Sequence, residues 1–357
     1  MSDPRPSGWA VALQPSDRVA FKRCRRAWDF GSPARRNLAP RTPAPRDGLG
    51  PALHEALAVY YFPGMWEWPR EIVEPLAREA FLGAIGEQAA VDDIERGLDL
   101  LDRYFVWAPE VDRFTPVRVA AAFDVDVPDP VQADVSLRSV DGRPIRFRGR
   151  VELLVVDTAD AYWIVTHHLR ETAFTERDLL VLDEAALTAC WAWERCFVGM
   201  NIAGTVANEL CPAVAPGGPR RNHRPDRHTT THRRMYAQAV SRPSGDVEVI
   251  AEGPFRRTRI PRPRAAVAEM GRQLAREVRE MTDPATDPYP HPSEDNCATC
   301  PFRRPCLVLS GGADPSRLLA TDFHARPPER EEGRLGGGTW SMNRGAAPPR
   351  FRGDADP

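Results

Sequence analysis

Residues Gly149 to Leu169 read GRVELLVVDTADAYWIVTHHL. Two runs rich in Val, Leu, Ile, Tyr and Trp flank Thr158-Ala159-Asp160, a short turn-prone triplet, so the stretch predicts an antiparallel hairpin. With the turn centred on Ala159, Glu152 and Thr166 are equidistant from it and fall opposite one another. Side chains alternate faces along a strand, so Thr166 and His168 share one face and His167 takes the other. An acid, a hydroxyl and an imidazole thus come together in an otherwise apolar segment.

The pattern extends outward from the hairpin. Val117–Val127 (VRVAAAFDVDV) and Ala133–Val140 (ADVSLRSV) are β-prone, with a turn at Asp141-Gly142 before the strand that begins near Ile145. These predict an antiparallel meander. Asp178–Phe197 then reads as a helix and Asn201–Leu210 as a further strand, so the central region is α/β with a sheet flanked by helices.

Upstream, Ser16 offers an N-cap to a helix through Phe30, which places Cys24 on a helix. The connector GSPARRNLAPRTPAPRDG (31–48) follows, and then the helical stretch PALHEALAVYYF (51–62) with His54 one turn in. Two amphipathic stretches make residues 70–108 an all-helical insertion or lobe. The expected organisation is an N-terminal helix and connector (1–48), a core (49–290), a cysteine segment (291–310) and a Gly/Pro/Arg-rich arm (311–357). No repeat of 20 to 50 residues is present.

Net charge is −2, so bulk charge does not argue for a polyanionic partner. Charge is local instead: residues 219–234 (PRRNHRPDRHTTTHRR) carry six arginines and three histidines against one acid. Lys22 is the sole lysine. No secretory signal and no run of about 18 apolar residues occurs, which predicts a cytoplasmic protein with no membrane contact.

Three of the seven cysteines form C-x2-C-x5-C at Cys297, Cys300 and Cys306. In a reducing compartment such a cluster reads as a metal site, one ligand short of the usual four. Cys190, Cys196 and Cys211 stand in apolar surroundings, whereas Cys24 is flanked by polar residues in FKRCRRAW.

The order LQPSDRVAFKRCRRAWDF, GLGPALHEALAVYY, GRVELLVVDTADAYWIVTHH and C-x2-C-x5-C resembles the iron–sulfur branch of the PD-(D/E)XK nucleases, which includes RecB-like and AddB-like exonucleases. The likeness covers about Gln14 to Cys306. It implies a restriction-endonuclease-like α/β core with a central mixed sheet, and a 4Fe–4S cluster on Cys24, Cys297, Cys300 and Cys306 that staples the two ends. It also implies one or two Mg²⁺ or Mn²⁺ ions on His54 and Glu152, DNA as partner, and a role in DNA processing such as repair.

The third catalytic motif departs from that family, because Thr166 stands where an acid is expected and His168 where a lysine is expected. A hydroxyl is a poor Mg²⁺ ligand, and imidazole suits transition metals better. The implied protein binds nucleic acid with weak or lost cleavage. Arg220, Arg221, Arg233 and Arg234, with Arg256 and Arg257, are the expected phosphate contacts. Two other readings stay open: a working nuclease with a site rebuilt from His54, Glu152, His168 and Asp183 or Glu184, and a structural or redox-responsive scaffold with a protein partner. Asp183 and Glu184 also read simply as acids placed at a helix N-terminus.

Overall fold

The computed structural model describes residues 10–42, 48–86, 89–214 and 247–326. Strand β1 (Val11–Leu13) leads into helix α1 (Pro15–Arg23). Gln14, not Ser16, is the cap: Pro15 occupies the first helical position, where its missing N–H matters least, and Asp17 closes a reciprocal capping box with Gln14. Helix α2 (Arg25–Gly31) follows at once, and Cys24 between them has extended backbone (φ −163°, ψ 109°). Cys24 is therefore at a break between two helices, not within one.

A short strand β2 (Leu38–Pro40) interrupts the connector. Helices α3 (Leu49–Tyr60), α4 (Arg70–Ile85) and α5 (Val91–Val111) come next. Residues 70–108 are no separate lobe, because Phe81, Leu101, Tyr104 and Phe105 pack in one cluster with Leu53 and Leu57 of α3 and with Leu153, Val155 and Val165 of the sheet.

Strands β3 (Phe114–Asp126), β4 (Ile145–Asp157) and β5 (Tyr162–Leu169) are antiparallel neighbours in sequence order. The expected strand at Ala133–Val140 does not form; only the isolated bridges Pro128–Ser136 and Arg138–Pro144 mark it. The expected helix at 178–197 is split into α6 (Arg177–Val181) and α7 (Glu184–Cys196), because the Asp183 carboxylate accepts from the Ala185 and Ala186 N–H groups and starts a new helix. That crossover makes β6 (Ile202–Leu210) parallel to β5. Strands β7 (Glu248–Glu252) and β8 (Phe255–Pro261), not anticipated from the sequence, complete a mixed sheet in the order β1-β4-β5-β6-β8-β7, with β3 on β4.

Helix α8 (Arg264–Thr282) covers the other face with α7, burying Trp191, Trp193, Leu274 and Val278 against Leu154 and Ile164. Gly271 permits the close approach, since a Cβ there would collide with the Trp191 indole. Burying each such large apolar side chain contributes roughly 1.5–3 kcal/mol, so helices on both faces anchor the hairpin strongly.

The chain ends with α9 (Glu294–Cys297), α10 (Arg303–Ser310), α11 (Ser316–Asp322) and β9 (Phe323–Ala325). Strand β9 pairs antiparallel with β2, so the beginning of the C-terminal arm folds back on the N-terminal connector. Among the described residues no helix is long and apolar enough to cross a membrane.

Candidate functional site

The hairpin register is the expected one: Leu153 faces Val165 and Val156 faces Tyr162. Asp157 Oδ1 accepts from the Ala159 and Ala161 N–H groups, both at 2.9 Å, and Asp160 takes the left-handed conformation (φ 58°) that Asp tolerates. The ladder stops at Leu153, and Glu152 begins the open end.

Strict alternation fails at Glu152. Ile145, Phe147 and Val151 face the α7 side, yet Leu154 also faces it while Leu153 and Val155 face α3. The phase therefore reverses around Glu152. Opposite it in β3, between the Val119–Leu153 and Ala121–Val151 pairs, Ala120 adopts φ 46°. A non-glycine residue there stores strain of about 1–2 kcal/mol.

The consequence is two separate pairs. Glu152 Oε1 lies 3.5 Å from His54 Nδ1 on α3, and Oε2 accepts from the His167 backbone N–H at 2.6 Å. Burial pushes the Glu152 carboxyl up, partly offset by His54 and the His167 N–H. Thr166 Oγ1 lies 3.1 Å from His168 Nε2. His168 is held below the usual histidine value, first by burial and then by Arg170, against the opposing pull of Asp183 and Glu209. The structure thus brings His54 to Glu152 and Thr166 to His168, and it is His167, given no role above, that stands edge-on to His54 with 6.1 Å between ring centres.

Behind His167 lies a buried polar network that sequence reading missed. Asn208 contacts His167 Nδ1 at 2.8 Å and the Tyr104 hydroxyl at 3.0 Å, and Tyr104 reaches the Tyr61 hydroxyl at 2.8 Å. Arg257 donates to both tyrosines at 3.1 Å and pairs with Asp112, each ion about 5–6 % exposed. Residues scattered from Tyr61 to Arg257 gave no local spacing by which to find it.

Arg256 and Arg257 cannot serve as the expected phosphate contacts. Arg257 is enclosed in this network, and Arg256 is paired with Glu209, a carboxylate with no exposed side-chain surface. The 219–234 segment, with Arg220, Arg221, Arg233 and Arg234, lies outside the described residues. Asp183 caps α7, while Glu184 pairs with Arg18 and with Lys22, which also meets Glu277. Asp183, Glu184 and Lys22 are thus engaged with partners other than Glu152.

At the other end of the molecule the N- and C-terminal segments meet. Cys24 Sγ accepts from the His291 N–H at 3.4 Å, Cys306 Sγ accepts from Arg26 at 3.8 Å, and Arg23 bonds Asn296 at 3.1 Å. The Cys300 thiol is pushed up first by burial, and then by the nearby Cys24, Cys297 and Cys306 sulfurs, so all four lie within electrostatic reach. A cavity of about 370 Å³ opens beside Cys24, between Lys22, Arg25, Tyr289 and His291. Among the described residues no three His, Cys, Asp or Glu side chains are gathered as for a single ion. Cys190 and Cys211 are fully buried, Cys196 is half-buried, and all seven cysteines are free.

No family model and no curated protein matches this chain. Among solved structures it is similar to a chain titled "Crystal structure of SSO0001", with a TM-score of 0.29 and 9% identity over 74% of this chain and 88% of that one. A score so low carries no argument about fold or function.

Proposed function

We propose that this chain is a nuclease-like iron–sulfur protein of PD-(D/E)XK lineage that binds nucleic acid, with phosphodiester cleavage weak or lost. The observation that carries the reading is the meeting of the Cys24 segment with the Cys297–Cys306 segment from opposite ends of the chain, joined by the His291 N–H to Cys24, Arg26 to Cys306 and Arg23 to Asn296. Four thiols with N–H donors aimed at two of the sulfurs are a donor set suited to a 4Fe–4S cluster, which would tie the termini together. Free cysteines throughout fit a reducing, cytoplasmic setting.

The mixed sheet with helices on both faces, and the pairing of His54 with Glu152, support the nuclease lineage. Ligands on one octahedral ion at about 2.1 Å lie roughly 3 Å apart, so this pair needs little adjustment to share a Mg²⁺ or Mn²⁺. Bound there, the ion would polarise a phosphate oxygen. Cleavage is reduced because one carboxylate and one imidazole make a thin ligand set, Thr166 is turned to His168, and the sole lysine is tied to Glu184 and Glu277. Nucleic-acid binding rests on the resemblance and on the basic 219–234 segment.

The test is anaerobic purification with iron and sulfide analysis, followed by binding and cleavage assays on single- and double-stranded DNA with Mg²⁺ and with Mn²⁺. About four iron and four sulfide per chain are expected, with salt-sensitive binding and little cleavage. Stoichiometric zinc without sulfide overturns the cluster. Robust cleavage abolished by Glu152→Ala establishes the working enzyme instead, and DNA affinity unmoved by salt removes the nucleic-acid reading.

A further inference from the structure

We propose that the two-stranded ribbon of β2 and β9, where the two ends of the chain meet, is a contact surface for the phosphate backbone of nucleic acid, with Arg41, Arg317 and Arg326 as its phosphate contacts. The inference rests on the nucleic-acid reading above and gives it a location among the described residues, since Arg256 and Arg257 are turned inward.

Charge sets the ribbon apart. The chain carries a net charge of −2, yet residues 29–42 and 303–326 hold seven arginines against three aspartates. All three acids are already engaged. Asp29 lies 2.9 Å from both Arg35 and Arg36, Asp322 pairs with Arg304 at 2.8 Å, and Asp314 accepts from Ser316 at the start of α11. On the helical layer and the main sheet, by contrast, arginines meet acids: Arg78 with Asp102, Arg103 with Asp99, and Arg146 and Arg148 with Asp124. Arg41 and Arg326 bond carbonyls instead, Arg41 that of Ala320 at 3.4 Å and Arg326 that of Gly31 at 2.9 Å. Among the described residues neither these two nor Arg317 pairs with a carboxylate. A guanidinium held by one carbonyl keeps its full charge, and it keeps most of its five N–H donors for an incoming oxyanion.

The ladder spaces these charges. Leu38 faces Ala325 and Pro40 faces Phe323, and the bonds from the Arg41 N–H to Asp322 and from the Arg326 N–H to Asn37 close the two ends. Arg41 and Arg326 therefore stand at opposite ends, about 13 Å apart along the ribbon at 3.3 Å per residue. Arg317 lies one helical turn before Ala320, the residue that holds Arg41. All three arginines are exposed. Phe323 stacks on Phe302, which in turn packs on Phe30, and this fixes the ribbon on its small core. Cations spaced along an extended ribbon suit a polymer of repeated phosphates, whereas a single small anion would need them gathered at one point.

The experiment measures binding of a labelled single-stranded oligothymidylate to the full chain over a range of salt concentrations. Arg41→Gln with Arg317→Gln and Arg326→Gln should weaken binding and shrink the slope of log affinity against log salt by roughly two, at about 0.7 per phosphate contact on a single strand. Arg96→Gln with Arg103→Gln and Arg272→Gln makes the same change in net charge at arginines already paired with acids, and should bind as wild type does. The ribbon substitutions leave both closing backbone bonds in place. If the triple variant nonetheless fails to fold, Arg317→Glu, at a side chain that bonds nothing among the described residues, should by itself shrink the slope by about 0.7 or more. An unchanged slope in the ribbon variant, or an equal loss in the control, overturns this inference while nucleic-acid binding stands. A wild type that binds no oligonucleotide removes both readings. Lost binding to phosphatidylserine vesicles with oligonucleotide binding intact would make the ribbon a membrane-surface site, and overturns the inference as well.

Discussion

Around Cys300, short helices from both ends of the chain meet over a small core of Phe30, Phe302 and Phe323, whereas around Glu152 every side chain stands on long strands and helices of the main sheet. The cysteine end depends on contacts between residues far apart in sequence, such as Arg23 with Asn296 and β2 with β9. The Glu152 end is held by two large apolar clusters, and its interior is stiffened by the Asp112–Arg257 network. The first region is a weak frame that carries four free cysteines. The second is a strong frame around the small polar group of His54, Glu152 and His167. A site of the second kind keeps its shape when its polar residues are changed, whereas one of the first kind depends on the contacts that close it.

The largest expected effect tests the strong frame. Arg257→Met leaves Asp112 buried without its partner, and should destabilise by about 3–5 kcal/mol, read from the denaturant midpoint. A variant of unchanged stability with weakened DNA affinity would return Arg257 to the role of phosphate contact. The weak frame comes next: Cys300→Ser should abolish bound iron and sulfide and lower stability by roughly 2–4 kcal/mol, by analogy with loss of a long-range cross-link. Cys190→Ser should retain full iron, and its losing the cluster would mean that the ligands are assigned wrongly.

Installing the acid and lysine that the proposed lineage carries should have a smaller effect. Thr166→Asp with His168→Lys should raise Mg²⁺-dependent cleavage roughly tenfold at most, about 1.4 kcal/mol, because Thr166 lies on the face opposite His54. A much larger gain would show that the two pairs act as one site. The smallest effect concerns Glu152. Its folded carboxyl is raised, so its contribution to stability is present below the ordinary carboxylate value and is lost as pH rises through the folded one. Glu152→Gln should accordingly be more stable than wild type at neutral pH by about 0.5 kcal/mol, a modest figure because water screens a side chain one-third exposed. That advantage should vanish in acid; a melting-temperature difference independent of pH would contradict it.

Much of this architecture was legible locally. Residues 145–157 and 162–169 carry β-prone apolar runs on either side of a turn, and the turn's centre gave the register of the ladder. Residues 70–85 and 91–111 show helical periodicity long enough to leave no doubt of type. The strand expected at 133–140 failed because bridges at Ser136 and Arg138 give it no continuous partner. Cys24 was placed on a helix because helical spacing runs through it, while the backbone break is a matter of two angles.

The sequence by itself determined the hairpin, its register, the helical segments and the grouping of three cysteines, since each depends on residues close together in the chain. Tertiary structure decided which side chains meet. It brought Cys24 to the C-terminal cysteines, reversed the phase of β4 at Glu152, turned Arg257 inward to Asp112, and set His167 beside His54. These outcomes depend on how two helical layers and a twisted, bulged sheet pack, and no local pattern of residues encodes which of two faces a polar side chain finally occupies.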